Sequence, residues 1–220
     1  MGLHTVDKIG GTSMSDYRSV RDNIIFKPAG TEDLYQRIFV VSAYGGITDK
    51  LLEHKKTGDA GIYAHFAKDR NQNGWREAFD EVRKTMLGIN RDLFGESELL
   101  DEANTFLSAR LDQAQEALED LSRLCSHGHF AIGEHLATVR EMLASLGEAH
   151  SAWNMASLLQ RDGVNAVFVD LTGWNASTHM SLDERIVELF KDIDLATQLP
   201  IATGYAHSET GLMTTFDRGY

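Results

Sequence analysis

The chain of 220 residues is 42% hydrophobic and 25% charged, and its 21 Lys and Arg against 33 Asp and Glu give a formal charge of −12. This is the make-up of a soluble globular protein, one large domain or two small ones, and no apolar run approaches the roughly 20 residues of a membrane span. So acidic a field disfavours nonspecific binding to nucleic acid or anionic membrane, and an anionic ligand must be held by local groups.

In chain order, His4 to Ile9 reads as a strand, Asp16 to about Ile25 as a helix, Arg37 to Ser42 (RIFVVS) as a buried strand and Thr48 to about His54 as a short helix. Each strand runs through a Gly-Gly turn into a helix. From Trp75 the period changes: Trp75, Phe79, Val82, Met86, Ile89 and Leu93 recur at helical spacing. After Gly95 a second stripe follows through Leu107, Leu111, Ala114, Leu118, Leu121 and Cys125. This predicts a helical hairpin inserted over about 75–125. Cys125, the single cysteine, excludes an internal disulfide, fits a reducing cytoplasm and reads as packing on an apolar face.

Helices are predicted over Glu134 to Leu146 and Glu148 to Arg161, the second closed by Gly163 as a left-handed cap. Val164 to Leu171 (VNAVFVDL) is a strong buried strand. Ser181-Leu182-Asp183-Glu184 is a capping box opening a further helix, and Leu199 to Tyr205 is the last strand before LMTTFDRGY. Strands separated by helices imply a mostly parallel sheet covered on both faces, a three-layer α/β/α sandwich whose ligands gather at the carboxyl ends of the strands.

The chemistry concentrates at those ends. In VDKIGGTS the Gly10-Gly11 turn lets backbone N–H groups approach a ligand, the helix start adds a positive dipole end, and Lys8 can place an ammonium on the same phosphate. SAYGGIT (Ser42 to Thr48) repeats the layout. Glu148, at the predicted start of a helix with Ser151 one turn on, suits a substrate ammonium, or equally is an ordinary first-turn glutamate. Arg218, in Thr214-Thr215-Phe216-Asp217-Arg218-Gly219, suits a bidentate grip on a carboxylate, or is a solvated loop arginine. Together these groups describe a site that phosphorylates an amino acid.

Five ordered motifs carry a resemblance. KIGGTS (Lys8 to Ser13), VVSAYGGITDKL (Val40 to Leu51), SLGEAHSA (Ser145 to Ala152), LPIATGY (Leu199 to Tyr205) and GLMTTFDRGY resemble, in order, the signature segments of aspartate kinases, of the amino-acid kinase family. IGEHL around Glu134 imitates the third motif but lies too far upstream of the following strand, so Glu134 is read as a helix-start residue.

The resemblance implies transfer of the ATP γ-phosphoryl group to the side-chain carboxylate of L-aspartate, giving 4-phospho-L-aspartate. It makes Lys8 the catalytic charge-neutralising group, with Lys8, Gly10, Gly11 and Ser13 on the phosphates. Ser42, Thr48, Glu148 and Arg218 are on aspartate. Magnesium is expected on the ATP phosphates, with no protein metal-ligand cluster. Asp217 and Tyr220 stand where most members have glycines, and with the stretch from His54 (HKKTGDAGIYAHFA) this resembles the aspartokinases of ectoine synthesis. The family's nucleotide-binding half and regulatory ACT domains have no counterpart in these residues, so residues 1–220 are expected to be an amino-terminal, aspartate-binding lobe. That lobe should be inactive alone, expose an apolar edge and tend to homo-oligomerise. Two alternatives stand beside this reading: a non-catalytic lobe holding aspartate or another anion, and a kinase of a related acid such as glutamate.

Overall fold

The computed structural model describes residues 4–26, 34–174 and 180–207. Four strands, β1 (Thr5–Ile9), β2 (Arg37–Val41), β3 (Ala166–Val169) and β4 (Leu199–Thr203), form one sheet in the order β1-β2-β4-β3, every pair parallel. Parallel strands put all carboxyl ends at one edge, and helices cover the faces, as the alternation of elements implied. The helices are α1 (Gly11–Met14), α2 (Tyr17–Val20), α3 (Ile47–Leu51), α4 (Ile62–Lys68), α5 (Gly74–Phe94), α6 (Glu98–Cys125), α7 (Leu136–Arg161) and α8 (Leu182–Phe190).

The chain divides into two compact units: residues 1–45 with 148–220, which hold the sheet, and residues 46–147, which are helical. In the sheet unit Val40, Val167, Val169 and Ala202 share one face with Phe190 of α8 and Ile193. Phe39, Val41 and Ile201, one register step away, are fully buried. α7 is tied to the strand layer by Gln160 Nε2 donating to the Ala166 carbonyl at 2.8 Å. Fully burying apolar side chains of this size contributes about 1.5–3 kcal/mol each, the main stabilising term for such a sheet. β1 lies at the sheet edge with Val6 61% exposed.

Two helix expectations are corrected. Glu134 to Leu146 and Glu148 to Arg161 are not separate helices. α7 runs unbroken through Gly147, while Glu134 closes a 3-10 turn (Ile132–Glu134) just before it. A mid-helix glycine costs about 1 kcal/mol, and here burial of Leu143, Leu146, Ala149 and Ala152 on either side outweighs it. Nor is Asp16 to Ile25 one regular helix: α2 opens on an Asp16 cap bonded to the Ser19 N–H, then widens into a π turn over Arg21–Ile25. The buried Arg37 guanidinium reaches into that turn, donating to the Ile24 and Ile25 carbonyls at 3.0 and 3.1 Å and pairing with Asp7. Asp162 accepts from groups at both ends of α2, the Tyr17 hydroxyl (2.8 Å) and Arg21 (3.0 Å). Partial burial works against its charge, but these bonds win and hold the Asp162 carboxyl below the usual carboxylate range.

In the helical unit α5 and α6 form the anticipated hairpin, turning through Gly95 at φ +60° into a Ser97 cap that accepts from the Leu100 N–H. The buried stripe of α5 ends on Asn90 and Phe94 rather than on Ile89 and Leu93, which are half-buried. Asn90 is drawn inward because its side-chain amide donates to Asn104 Oδ1 across the hairpin. Cys125 is buried, as a packing residue should be. α4, which periodicity did not signal, docks Phe66 edge-on to Trp75 at 5.6 Å. The Ser181–Glu184 capping box and the left-handed Gly163 are as the sequence indicated.

Candidate functional site

β1 ends at Ile9, Gly10 is extended and α1 begins at Gly11, so the first-turn N–H groups of α1 point out of the sheet edge without acceptors inside the helix. Gly11 is fixed by contact. A Cβ there would lie 2.6 Å from the Ala43 carbonyl oxygen, so only glycine lets the two strand-end turns touch. Ser15 holds them together: its hydroxyl donates to the Gly11 carbonyl at 3.3 Å and accepts from the Gly45 N–H at 3.1 Å. Ser42 extends the ladder, its N–H donating to the Ile9 carbonyl.

A carboxylate at this edge comes from α7. Glu148 Oε2 lies 3.1 Å from where a Cβ on Gly204 would be, and Gly204 is exposed at the end of β4. Ser151, one turn on and fully buried, donates to the Ser42 carbonyl at 2.8 Å. Glu148 is thus seated two strands from the Gly10-Gly11 turn, at the same edge of the sheet. The reading of Glu148 as an ordinary first-turn residue fails, because it stands in the middle of a 26-residue helix.

Lys8 is exposed on β1 and, among the described residues, its ammonium has no hydrogen-bond or ion-pair partner. Ser13 is exposed in α1, and Ser42 is nearly buried at 8% exposure. Thr48 belongs to the helical unit, partly exposed in the first turn of α3. Arg218, with Asp217 and Tyr220, lies outside the described residues. Among the described residues no group of three or more His, Cys, Asp or Glu is arranged to hold a metal ion, and no helix is long and apolar enough to cross a membrane.

Sequence reasoning passed over Ser15, Tyr44, His150, Asn154 and Gly204. Tyr44 and His150 meet edge-on with ring centroids 5.3 Å apart, and the Asn154 amide lies 3.1 Å from His150 Nε2. All three are buried. Burial pushes the Tyr44 phenol well above its ordinary range and the His150 imidazole down to about 3, so both are neutral. The available signal was the run of polar residues His150, Asn154 and Ser157 at helical spacing on α7, all of them buried.

The amino acid kinase family pattern matches residues 4–218. The chain belongs to the amino acid kinase family. Among family relatives it is 51% identical over 218 residues to the aspartate kinase Ask_Ect of Stutzerimonas stutzeri (strain A1501), covering 99% of this chain and 46% of that protein. Its fold is that of E. coli aspartokinase III. A structure of that enzyme with aspartate and ADP (R-state) superposes with a TM-score of 0.62 at 20% identity, over 98% of this chain and 44% of the other. The structure with lysine and aspartate (T-state) gives 0.64 at 18%, over 99% and 44%. The chain spans about half the length of these family members.

Proposed function

We propose that this chain is the aspartate-binding lobe of an aspartate kinase, residues 1–220 with the helical hairpin over about 75–125 as an insertion. The reaction is transfer of the ATP γ-phosphoryl group to the side-chain carboxylate of L-aspartate. The observation that carries the reading is the Glu148 carboxylate against the exposed Gly204, at the sheet edge where β1 opens into the Gly10-Gly11 turn. The 51% identity to a protein named an aspartate kinase supports it.

The aspartate side chain is ionised at neutral pH, so it attacks without a general base. A carboxylate oxygen bonds to the γ-phosphorus as the bond from that phosphorus to the bridging oxygen breaks, and the electron pair leaves with ADP. What remains for the protein is alignment and neutralisation of charge. Lys8 neutralises the transferring group, the N–H groups of Gly10 and Gly11 hold its oxygens, and Ser13 adds a hydroxyl. Glu148 takes the α-ammonium, Arg218 clamps the α-carboxylate, Thr48 is a further aspartate-binding residue, and Ser42 lies on the rim. A magnesium ion carried on the ATP phosphates supplies further neutralisation when bound.

The lineage is the ectoine type, a reading supported by the stretch from His54 and by the relative's name. A reaction drawing on ATP, in a protein whose one cysteine is buried, belongs in the cytoplasm. Self-association is assigned to the open β1 edge, where Val6 is exposed.

Calorimetric titration of the chain with L-aspartate and L-glutamate tests the assignment. Aspartate should bind at least tenfold tighter, and Glu148→Gln, which removes the partner of the α-ammonium that both acids carry, should weaken the binding of both. Absence of aspartate binding sinks the reading, and a preference for glutamate transfers it to the glutamate alternative. Aspartate binding without ATP-dependent acyl phosphate, trapped as the hydroxamate in the full-length protein, supports the non-catalytic alternative instead.

A further inference from the structure

α7 reaches the second strand-end turn twice. Ser151 holds the Ser42 carbonyl, and one turn around the helix His150 and Asn154 meet Tyr44, two residues further along the same loop. Tyr44 sits between the two residues that touch the Gly10-Gly11 turn. On one side Ala43 presents its carbonyl to Gly11. On the other Gly45 donates to Ser15, which is bonded back to the Gly11 carbonyl. Tyr44 itself is only 5% exposed and so presents no surface to a ligand.

The structure assigns His150, Asn154 and Tyr44 a positioning role: a buried pedestal on α7 that sets the height of the Ala43–Gly45 segment, and through it the Gly10-Gly11 turn, relative to Glu148. This rests on the proposed aspartate and phosphate site. The pedestal couples the two ends of that site. The same helix turn that carries Glu148 toward the substrate amine carries the seat of the loop that braces the phosphate turn, so their separation is held by one rigid element. An edge-to-face aromatic pair suits this, because it fixes orientation as well as distance. Both rings are neutral, so the pedestal shapes the site without adding charge to it.

The test uses ¹⁵N-labelled chain and variants His150→Met, Tyr44→Ser, the double variant and Tyr44→Phe, each checked for folding by thermal unfolding. The amide signals of Gly11 and Gly45 should shift or broaden in both single variants. The aspartate Kd should rise about tenfold in each single variant and no further in the double, while Tyr44→Phe, which keeps the ring, restores both readouts. Unchanged Gly11 and Gly45 signals in folded variants, or losses that add in the double, overturn the proposal. If Tyr44→Ser does not fold, Tyr44→Leu, which also removes the ring, takes its place in the same comparison. A wild-type chain that fails to bind aspartate while its glycine amides still respond removes the site reading and leaves the pedestal standing.

Discussion

Glu148 and Gly204 are paired by space: the carboxylate oxygen occupies the position 3.1 Å from which any side chain at residue 204 would begin. The Val41 carbonyl, which accepts the Gly204 N–H at 2.9 Å, crowds the same point. Gly204→Ala should therefore displace Glu148 and cost about 1–3 kcal/mol of stability by overpacking. Urea midpoints read the stability and titration with L-aspartate reads the affinity. A variant with native affinity would show that the carboxylate acts elsewhere.

The nearest atoms that Gly11→Ala would meet all belong to the backbone. With the Ala43 carbonyl 2.6 Å from the new methyl, neither turn can yield without moving a strand end. We expect lost stability together with lost nucleotide-dependent activity. Gly10→Ala, with open space around its position, should be tolerated by the fold. Thermal unfolding of the two variants side by side separates the cases, and equal effects would contradict the geometry.

Lys8→Met should leave the unfolding transition in place, since the side chain is exposed and unpaired among the described residues. Loss of an electrostatic group of this kind lowers turnover by about 10²–10³. Hydroxamate trapping in the full-length protein measures it, and a drop below tenfold would take Lys8 out of the reaction.

His150 makes stability depend on pH. Its folded pKa is lowered to about 3 by burial, against an ordinary value of 6.5, so between these values the unfolded chain binds the extra proton. Its contribution is complete above about pH 6.5 and is lost as pH falls toward 3, at up to about 1.4 kcal/mol per pH unit. The slope of stability against pH over that window should be shallower in His150→Met. Identical slopes would mean that the imidazole is not shut away from water.

The sheet was legible because its strands are short apolar runs with turn residues at both ends, and RIFVVS and VNAVFVDL permit little else. The hairpin was legible because Trp75, Phe79, Val82 and Met86 keep one period. Its tail was not, because the stripe closes on Asn90, a polar residue buried through a partner in another helix. The break expected at Gly147 failed for a related reason: local propensity disfavours glycine there, while the packing that overrides it is set by distant residues. In the candidate site, Lys8, Gly10, Gly11 and Glu148 could be put forward from spacing and family likeness. Ser15, Tyr44 and His150 could not, since their roles exist only once β1, β2 and α7 are side by side.

The near-contact of Gly11 with Ala43 also constrains how such a protein can be recombined. Segments 9–15 and 41–45 are about thirty residues apart in the chain yet fit each other to within an atom's width. A chimera with a crossover between them inherits mismatched halves of one joint, whereas crossovers that exchange both as a block keep it whole.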